Sequence, residues 1–275
     1  MADYVHGYTE KETYRLTDQA DTLSNLLHHD TCYPEGSSIL EVGCGTGAQT
    51  VILSSRCPKS MITSIDISEE SIRTARQRMV EQGIANVSFH VADILDMPFE
   101  DETFDHIFIC FVLEHLHAPL EALASLKRVL KPSGTITAIE GDHGSFYCYP
   151  RSREAMAAVH CLIHTQERLG GNSLIGRQLY PLLQQAGLEN VTVSPRIVYV
   201  DASKPHLVDG FSKKTFIAMV EGVEEQSLAL NLIEKETWDK GIRDLYRATD
   251  YDGTFCYTFF KAVGHKARSP LTLRS

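Results

Sequence analysis

The stretch Glu41-Val-Gly-Cys-Gly-Thr-Gly47 lies where a predicted strand, residues 38–42, meets a predicted helix, residues 46–57. Glycines at such a junction let the backbone turn sharply, and a ligand can approach them because no Cβ stands in the way. In open α/β sheets this junction lies at the edge where the strands end and where ligands bind. A glycine-rich turn also occurs without any ligand, so the neighbouring segments must decide its meaning.

Strand-like and helix-like segments alternate along the chain that follows this stretch. The pattern predicts strands at residues 61–65, 87–91, 104–111 and 135–140, and helices at residues 68–83 and 119–130. This order is typical of a parallel sheet, because each helix between two strands buries its apolar side on a sheet face.

Beyond residue 140 the alternation breaks. The pattern there predicts irregular helix at about residues 141–171, a helix at residues 176–186 and further helices at about residues 205–249, with strands at residues 191–200 and 254–263. We therefore predict an α/β fold with a doubly wound, mostly parallel seven-stranded sheet and a helical cap made by late insertions.

Composition limits the classes of function. The chain has 275 residues, of which 43% are hydrophobic and 23% charged, which is typical of one elaborated globular domain. A formal charge of -10 argues against a broad nucleic-acid interface, because such interfaces need clustered Lys and Arg. We expect no membrane segment and a cytoplasmic location, because no apolar run reaches about 20 residues. Seven scattered cysteines without a Cys-x-x-Cys pair favour a reducing compartment.

Acidic residues accompany the glycine-rich stretch. Asp66 ends the second predicted strand, where a carboxylate can accept hydrogen bonds from both hydroxyls of a ribose. NAD-dependent enzymes share that feature, but their glycine spacing is Gly-x-Gly-x-x-Gly, whereas this chain has Gly43-x-Gly45-x-Gly47. Glu41 would repel a pyrophosphate and attract a cationic amino acid group. An NAD(P)-dependent oxidoreductase remains the rival hypothesis.

A third acid, Asp93, follows the third predicted strand. Its carboxylate can accept a hydrogen bond from the exocyclic amine of an adenine, and Ile67 and Ile94 could sandwich the ring. The alternative for each residue is capping or core packing. Three strand ends that carry acids at one edge of a sheet favour a ligand site.

Five segments together resemble one protein family: EVGCGTG at 41–47, SIDIS at 64–68, ADILDMPFEDETFD at 92–105, FVLEHL at 111–116 and RVLKPSGTI at 128–136. They are similar to the class I S-adenosylmethionine-dependent methyltransferases, in particular the small-molecule branch of the methyltransferase-11 or -25 type. The resemblance covers about residues 37–140 and is specific as a set. It implies a Rossmann-like methyltransferase fold that uses S-adenosylmethionine.

The resemblance also implies roles for single residues. Asp66 would bind the ribose of the cofactor, Asp93 with Ile94 the adenine, and Phe111 would line the cofactor near its sulfonium. Tyr14 and Gln19 would lie in a helix that closes over the cofactor, although an ordinary surface helix is the alternative. The glycine loop would contact the methionine part of the cofactor through Gly43, Cys44, Gly45 and Gly47, with Glu41 ahead of it.

Candidate acid–base residues follow the fourth and fifth predicted strands. A sulfonium methyl is already activated, so alignment of a nucleophile can suffice, but an amine, phenol or carboxylate acceptor could need a base. We single out Asp142, His143 and His115 as catalytic candidates, with Glu114 and Glu140 beside them. Capping or loop anchoring is the alternative for each.

Two other groups of side chains have weaker interpretations. Phe146, Tyr147 and Tyr149 could line an acceptor pocket or only pack the cap. His160 and His164 have a spacing that could hold zinc, but no companion ligand completes a site, so no metal is predicted.

We predict three parts of the chain: a helical cofactor lid at residues 1–37, the S-adenosylmethionine-binding Rossmann-like core at 38–140, and cap insertions with the last helix and two strands at 141–275. The predicted function is methyl transfer to an O, N or S nucleophile of a small molecule. The alternatives are a protein or RNA methyltransferase and a non-catalytic S-adenosylmethionine-binding subunit. The sequence leaves the acceptor and the oligomeric state open.

Overall fold

Seven strands form one sheet in the computed structural model, which describes residues 19, 20 and 22–268. The strands are β1 (Ser38–Val42), β2 (Met61–Asp66), β3 (Val87–Val91), β4 (Phe104–Cys110), β5 (Leu130–Tyr149), β6 (Glu189–Val200) and β7 (Thr254–His265). Their order is β3-β2-β1-β4-β5-β7-β6. The pairs among β1 to β5 are parallel, whereas β7 is antiparallel to both β5 and β6. The predicted doubly wound, mostly parallel sheet is confirmed.

Helices connect the strands. They are α1 (Ala48–Arg56), α2 (Glu69–Glu81), α3 (Pro119–Val129), α4 (Arg153–Arg168), α5 (Leu179–Gln185), α6 (Pro205–Leu207), α7 (Ala218–Glu221), α8 (Glu224–Ala229) and α9 (Lys235–Arg247). Residues 22–28 are also helical, the segments Leu113–His115 and Ile175–Gln178 are 3₁₀ turns, and Val208–Ile217 is π-helical. No helix within residues 19, 20 and 22–268 is long and apolar enough to cross a membrane.

Helix α2 illustrates how local sequence sets an element. The Ser68 hydroxyl accepts a hydrogen bond from the Ser71 backbone N–H at 3.2 Å, which caps the helix start. Ile72, Ala75 and Met79 recur at helical spacing and are buried. The predicted capping residue and apolar face of this helix are therefore both observed.

Strand β4 separates two hydrophobic clusters. Phe108 and Cys110 belong to the cluster on one face of the sheet, and Ile107 and Ile109 to the cluster on the other. All four side chains are buried, as the continuous apolar run of this strand predicted. Burial of one such large side chain contributes about 1.5–3 kcal/mol, so this strand stabilises both faces of the sheet.

The prediction of irregular helix from residue 141 is wrong. Strand β5 does not end at Glu140 but continues to Tyr149, and helix α4 begins only at Arg153. The added residues pair with β7. The pairing begins with Gly141 opposite Phe259 and ends with Tyr149 opposite Thr254, and a bulge between Asp142 and Tyr147 shifts the register. A strand that pairs with residues more than a hundred positions later leaves little local signal. We call residues 141–149 the β5 extension, and the domain limit predicted at residue 140 falls inside this strand.

Candidate functional site

The loop that follows β1 contains three glycines with left-handed backbone but different surroundings. Gly43, Gly45 and Gly47 all have positive φ angles, of 66°, 52° and 82°. A Cβ at Gly43 would overlap the Val112 side chain, and a Cβ at Gly47 would lie 3.1 Å from the Cβ of Ala75. A Cβ at Gly45 would meet no atom within 4 Å. Gly43 and Gly47 therefore allow close packing, whereas Gly45 faces open space.

Glu41 lies buried beneath this loop. Its Oε2 accepts hydrogen bonds from Thr50 Oγ1 at 2.7 Å and from Ser64 Oγ at 2.6 Å. Its Oε1 is buried with no hydrogen-bond partner among the residues that the structure describes. Burial raises the pKa of Glu41 to about 7. A buried carboxyl oxygen without a partner fits a nearby N–H donor or cation better than an anionic ligand.

Asp66 is held in place at the end of β2. Its Oδ2 accepts a hydrogen bond from the Gly45 N–H at 2.8 Å, and its Oδ1 accepts one from the Ser68 N–H at 2.9 Å. Burial raises the pKa of Asp66, and the backbone hydrogen bonds oppose that rise. The contacts fix this carboxylate beside the open space at Gly45. We call residues 43–47, 66–68 and 92–95 the glycine-loop rim.

The predicted adenine contacts occupy different environments. Asp93 is exposed, and its Oδ1 accepts a hydrogen bond from the Leu95 N–H at 2.8 Å. Ile67 is 54% exposed, whereas Ile94 is 8% exposed and packs in the core beneath the rim. Cys44 is also buried. The two isoleucines thus differ in exposure, and their sandwiching of an adenine ring stays a prediction.

Phe111 follows β4 and has a left-handed backbone with a φ angle of 59°. Its N–H donates to the Ile139 carbonyl at 2.9 Å, and its ring centroid lies 5.4 Å from that of Phe259. A left-handed phenylalanine stores strain, and such residues cluster at functional sites.

Asp142 is almost fully buried, with 2% exposure, and belongs to the β5 extension. Arg177 binds it with two hydrogen bonds, from Nε to Oδ2 at 2.8 Å and from Nη2 to Oδ1 at 2.7 Å. The Gly144 N–H donates to Oδ1 at 3.1 Å, and the carboxylate raises the pKa of Arg177. Both oxygens are thus engaged, which suits a positioning role better than removal of a proton.

His143 lies next in the chain and is also buried. Its Nδ1 lies 2.7 Å from the Tyr257 hydroxyl, and its backbone N–H donates to the Ser173 carbonyl at 3.0 Å. Sequence reasoning missed both Tyr257 and Arg177. Tyr257 stands in an apolar strand sequence that gives no sign of a polar role.

The 3₁₀ turn after β4 carries the remaining acid–base candidates. His115 Nε2 lies 3.5 Å from Glu114 Oε1. Glu140 is fully buried, and its Oε1 accepts hydrogen bonds from the N–H groups of Val112 and Leu113 at 3.1 and 2.8 Å. Burial, and then the charge of Glu114, raises the pKa of Glu140 well above its usual range. Glu140 therefore caps this turn through its Oε1.

The aromatic candidates separate in the structure. Phe146 is buried, but Tyr147 and Tyr149 are 58% and 62% exposed on the β5 extension. Only Phe146 packs inside the fold, so the three residues do not line one pocket.

The remaining site predictions have different outcomes. Tyr14 lies outside the described residues, and Gln19 is buried. His160 is exposed, and His164 lies 3.4 Å from Glu167. Among the residues whose positions the structure gives, no group of three His, Cys, Asp or Glu side chains could hold a metal.

The sheet order and the glycine loop after β1 together define a Rossmann-like class I methyltransferase fold. A family model described as a methyltransferase domain matches residues 34–187, which is more than half of the chain. The chain belongs to this family, the class I S-adenosylmethionine-dependent methyltransferases.

Relatives by sequence include an uncharacterized 37.1 kDa transposon protein of Streptomyces fradiae, 31% identical over 209 residues, 75% of this chain and 59% of that protein. The demethylmenaquinone methyltransferase of Bacillus subtilis is 30% identical over 146 residues, 50% of this chain and 62% of that enzyme. The matched part of the chain thus spans about three fifths of each relative.

Solved structures share the fold at low identity. The YcgJ protein of Bacillus subtilis has a TM-score of 0.57 and 16% identity, with 90% of this chain and 99% of that chain covered. The [4+2]-cyclase SpnF has a TM-score of 0.55 and 19% identity, with 90% and 82% covered. At these identities the likeness extends to the fold alone.

Proposed function

We propose that the protein binds S-adenosylmethionine in the glycine-loop rim and transfers its methyl group to an O, N or S nucleophile of a small molecule. One observation carries the proposal. The open space at Gly45 lies beside the anchored carboxylate of Asp66, and the same loop follows Glu41, whose buried Oε1 has no hydrogen-bond partner within the described part of the chain. This arrangement offers acceptors for hydroxyl and ammonium groups, and it is unsuited to a pyrophosphate.

The residues of the rim fit the cofactor part by part. Asp66 would accept hydrogen bonds from the ribose hydroxyls, and Asp93 from the adenine amine. The backbone of residues 43–47 would hold the methionine part, with Glu41 opposing its positive charge. When bound, the cofactor supplies a methyl group on a sulfonium, which a nucleophile displaces in line.

The chain itself would mainly align the acceptor and exclude water, because the methyl group is already activated. Phe111 and the β5 extension lie at the ends of neighbouring strands, at the same edge of the sheet as the rim. His143 and His115 are candidates for contact with the acceptor. Asp142 would keep the β5 extension in position through Arg177.

Two observations favour a small acceptor. The formal charge of -10 disfavours RNA, and the Bacillus subtilis relative is named for a small-molecule reaction. One of the solved structures with this fold is named as a [4+2]-cyclase, so the fold also occurs in a protein named for another reaction. Product analysis is therefore part of the test.

Calorimetric titration with S-adenosylhomocysteine and with NADH tests the cofactor. We expect binding of the first and none of the second. Asp66→Ala should weaken S-adenosylhomocysteine binding by about 1–3 kcal/mol, because hydrogen bonds to the ribose are lost. Asp101→Ala is the matched control. Asp101 is an exposed acid that precedes β4, so it lies near the amino-terminal ends of the strands, away from the rim. Equal affinities of the two variants would remove the assigned role of Asp66.

The acceptor can be sought with methyl-labelled S-adenosylmethionine and fractionated small-molecule extracts. Mass spectrometry should detect a labelled product in a fraction below about 1 kDa. Label found only in protein or RNA would support the alternative acceptor classes. Binding of the cofactor without any labelled product would support a non-catalytic subunit.

A further inference from the structure

Lys261 is a buried lysine in β7, and its ammonium group has two partners in the N-terminal segment. Its Nζ donates hydrogen bonds to Asp30 Oδ1 and to Thr31 Oγ1, each at 2.7 Å. Asp30 also pairs with Arg196 of β6, so two buried cations share one carboxylate that is about half exposed. Both strands therefore hold the chain where it leaves the helical residues 22–28.

The same threonine links Lys261 to a buried histidine. Thr31 Oγ1 lies 3.4 Å from Nδ1 of His28, and Nε2 of His28 lies 2.9 Å from Oε1 of Gln49. Gln49 is the second residue of α1, whose N-cap is Gly47 of the glycine loop. Hydrogen bonds thus run from β7 across the N-terminal segment to the helix that follows this loop. We call these four side chains the Lys261–Gln49 network.

The direction of each bond in the network follows from its first donor. An ammonium group has donors only, so Thr31 Oγ1 accepts from Lys261. Among the residues that the structure describes, the other side-chain partner of this hydroxyl is Nδ1 of His28, so the Thr31 proton points to Nδ1. A neutral imidazole that accepts at Nδ1 carries its proton on Nε2, which then donates to the side-chain carbonyl oxygen of Gln49.

His28 is suited to this role because it stays neutral. It is 1% exposed, and its pKa is lowered to about 4, mainly by burial. The hydrogen bond with Gln49 opposes this shift, whereas the charges of Lys261 and Arg56 add to it. At neutral pH the two ring nitrogens therefore have different roles, with Nδ1 as acceptor and Nε2 as donor.

We propose that Lys261 is a positioning residue for the glycine loop: through Thr31 and His28 it fixes Gln49 and thereby the start of α1, where the loop ends. The proposal rests on the proposed function only where it concerns affinity for the cofactor. A loop that is already ordered before binding loses less conformational entropy when the ligand binds. The network should therefore contribute to affinity without touching the ligand.

Nitrogen NMR of protein labelled with ¹⁵N-histidine tests the network without any ligand. At neutral pH we expect a protonated Nε2 and an unprotonated Nδ1 for His28, assigned by the loss of its signals in His28→Gln. Thr31→Val removes the hydroxyl at nearly constant size, so the Nδ1 signal should shift, whereas Thr31→Ser should keep the native signal. A protonated Nδ1 in the unmodified protein would overturn the proposal.

Lys261→Met tests the first donor of the network. It leaves Asp30 paired with Arg196, so one balanced pair of charges remains. The pKa of His28 should rise above about 4 in this variant, because a nearby positive charge is removed. An NMR titration of the labelled protein measures this change, and an unchanged pKa would contradict the link between Lys261 and His28.

Affinity for S-adenosylhomocysteine tests the positioning role. Thr31→Val should weaken binding about fivefold, within the effect of one hydrogen bond, and Thr31→Ser should bind as the unmodified protein does. Calorimetric titration measures both. An unchanged affinity in Thr31→Val and in Lys261→Met would overturn the positioning role, even if the signals of His28 shift.

Thr135→Val is the matched control, because Thr135 Oγ1 lies 2.8 Å from Nδ1 of a different histidine, His106. It should shift the His106 signals and leave the His28 signals and the affinity for S-adenosylhomocysteine unchanged. Equal losses of affinity in Thr135→Val and Thr31→Val would point to general destabilisation and contradict the proposal. If the unmodified protein does not bind S-adenosylhomocysteine, the proposed function fails, and the tautomer of His28 still decides whether the network exists.

Discussion

The glycine-loop rim and the β5 extension both lie where the parallel strands end. The rim is held by contacts between residues that are close in the chain, whereas the β5 extension is also held by contacts between residues that are far apart in the chain. In the rim, Gly45 contacts Asp66 across 21 residues, within one strand–helix–strand unit. In the extension, Asp142 contacts Arg177 across 35 residues, and His143 contacts Tyr257 across 114. A ligand site built by consecutive strand–helix units can be recognised from motifs, whereas a site built by strands far apart in the chain depends on the whole fold.

The largest test of this comparison is inside the rim. Gly43→Ala should cost about 3–5 kcal/mol of unfolding free energy, because it adds left-handed strain and overlaps Val112. Gly45→Ala should cost only about 1–2 kcal/mol, since its Cβ meets open space. Urea unfolding measures both.

A double variant sharpens that test. Val112→Ala in the Gly43→Ala background should recover the part of the loss that is due to overlap, and it should not help Gly45→Ala. Equal costs at Gly43 and Gly45 would mean that the loop relaxes as a unit and that the local geometry does not decide the glycines.

The sequence predicted most of the first half of the fold. The limits of β1 and β3 agree with the structure to the residue, and α2 begins at the predicted cap, because apolar spacing and capping are local signals. The acids at the ends of β2 and β3 could be predicted because parallel strands end at a common edge. Packing could not be predicted in the same way: Ile94 lies in the core while Ile67 is exposed.

The second half was harder for a physical reason. The predicted end of β5 was wrong for two reasons. The last residues of the strand are held by β7, and Gly141, Gly144 and a bulge interrupt the alternation of apolar and polar residues that marks a strand. His143 was a sequence candidate, but Tyr257 lies in an apolar stretch, and nothing local marks its hydroxyl. The hydrogen-bond partner of His143 therefore depends on a residue far away in the chain.

A second test concerns Glu41, the buried acid of the rim. Its pKa is raised from 4.5 to about 7, so the native state holds this proton more tightly than the unfolded chain. The stability that this proton contributes is present below pH 4.5 and is lost as the pH rises through about 7. Between these values, the free energy of unfolding should fall by on the order of 3 kcal/mol.

Glu41→Gln should remove this part of the pH dependence, which denaturant unfolding at several pH values can measure. Glu35→Gln is the control, because Glu35 is an exposed acid paired with Lys59. An unchanged slope in Glu41→Gln would mean that the buried carboxyl does not titrate in this range. Its suitability for a cationic ligand would then need another explanation.

The smallest expected effect is in the β5 extension. It tests whether the contact between Asp142 and Arg177 stabilises this segment. Arg177→Ala leaves the buried carboxylate of Asp142 without its partner and should cost about 2 kcal/mol, less than for a fully buried pair because Arg177 is half exposed. Arg247→Ala breaks an exposed pair with Asp252 and should cost less than about 1 kcal/mol.

Asp142→Asn in the Arg177→Ala background should restore part of the stability, because the uncompensated charge is removed. The same variants separate the two sites, since S-adenosylhomocysteine affinity should stay unchanged while the KM for the acceptor rises. If Arg177→Ala weakened cofactor binding as strongly as Asp66→Ala, the two regions would be one cooperative unit. The difference in sequence separation would then describe how the two regions fold. It would not assign cofactor binding to the rim and acceptor binding to the β5 extension.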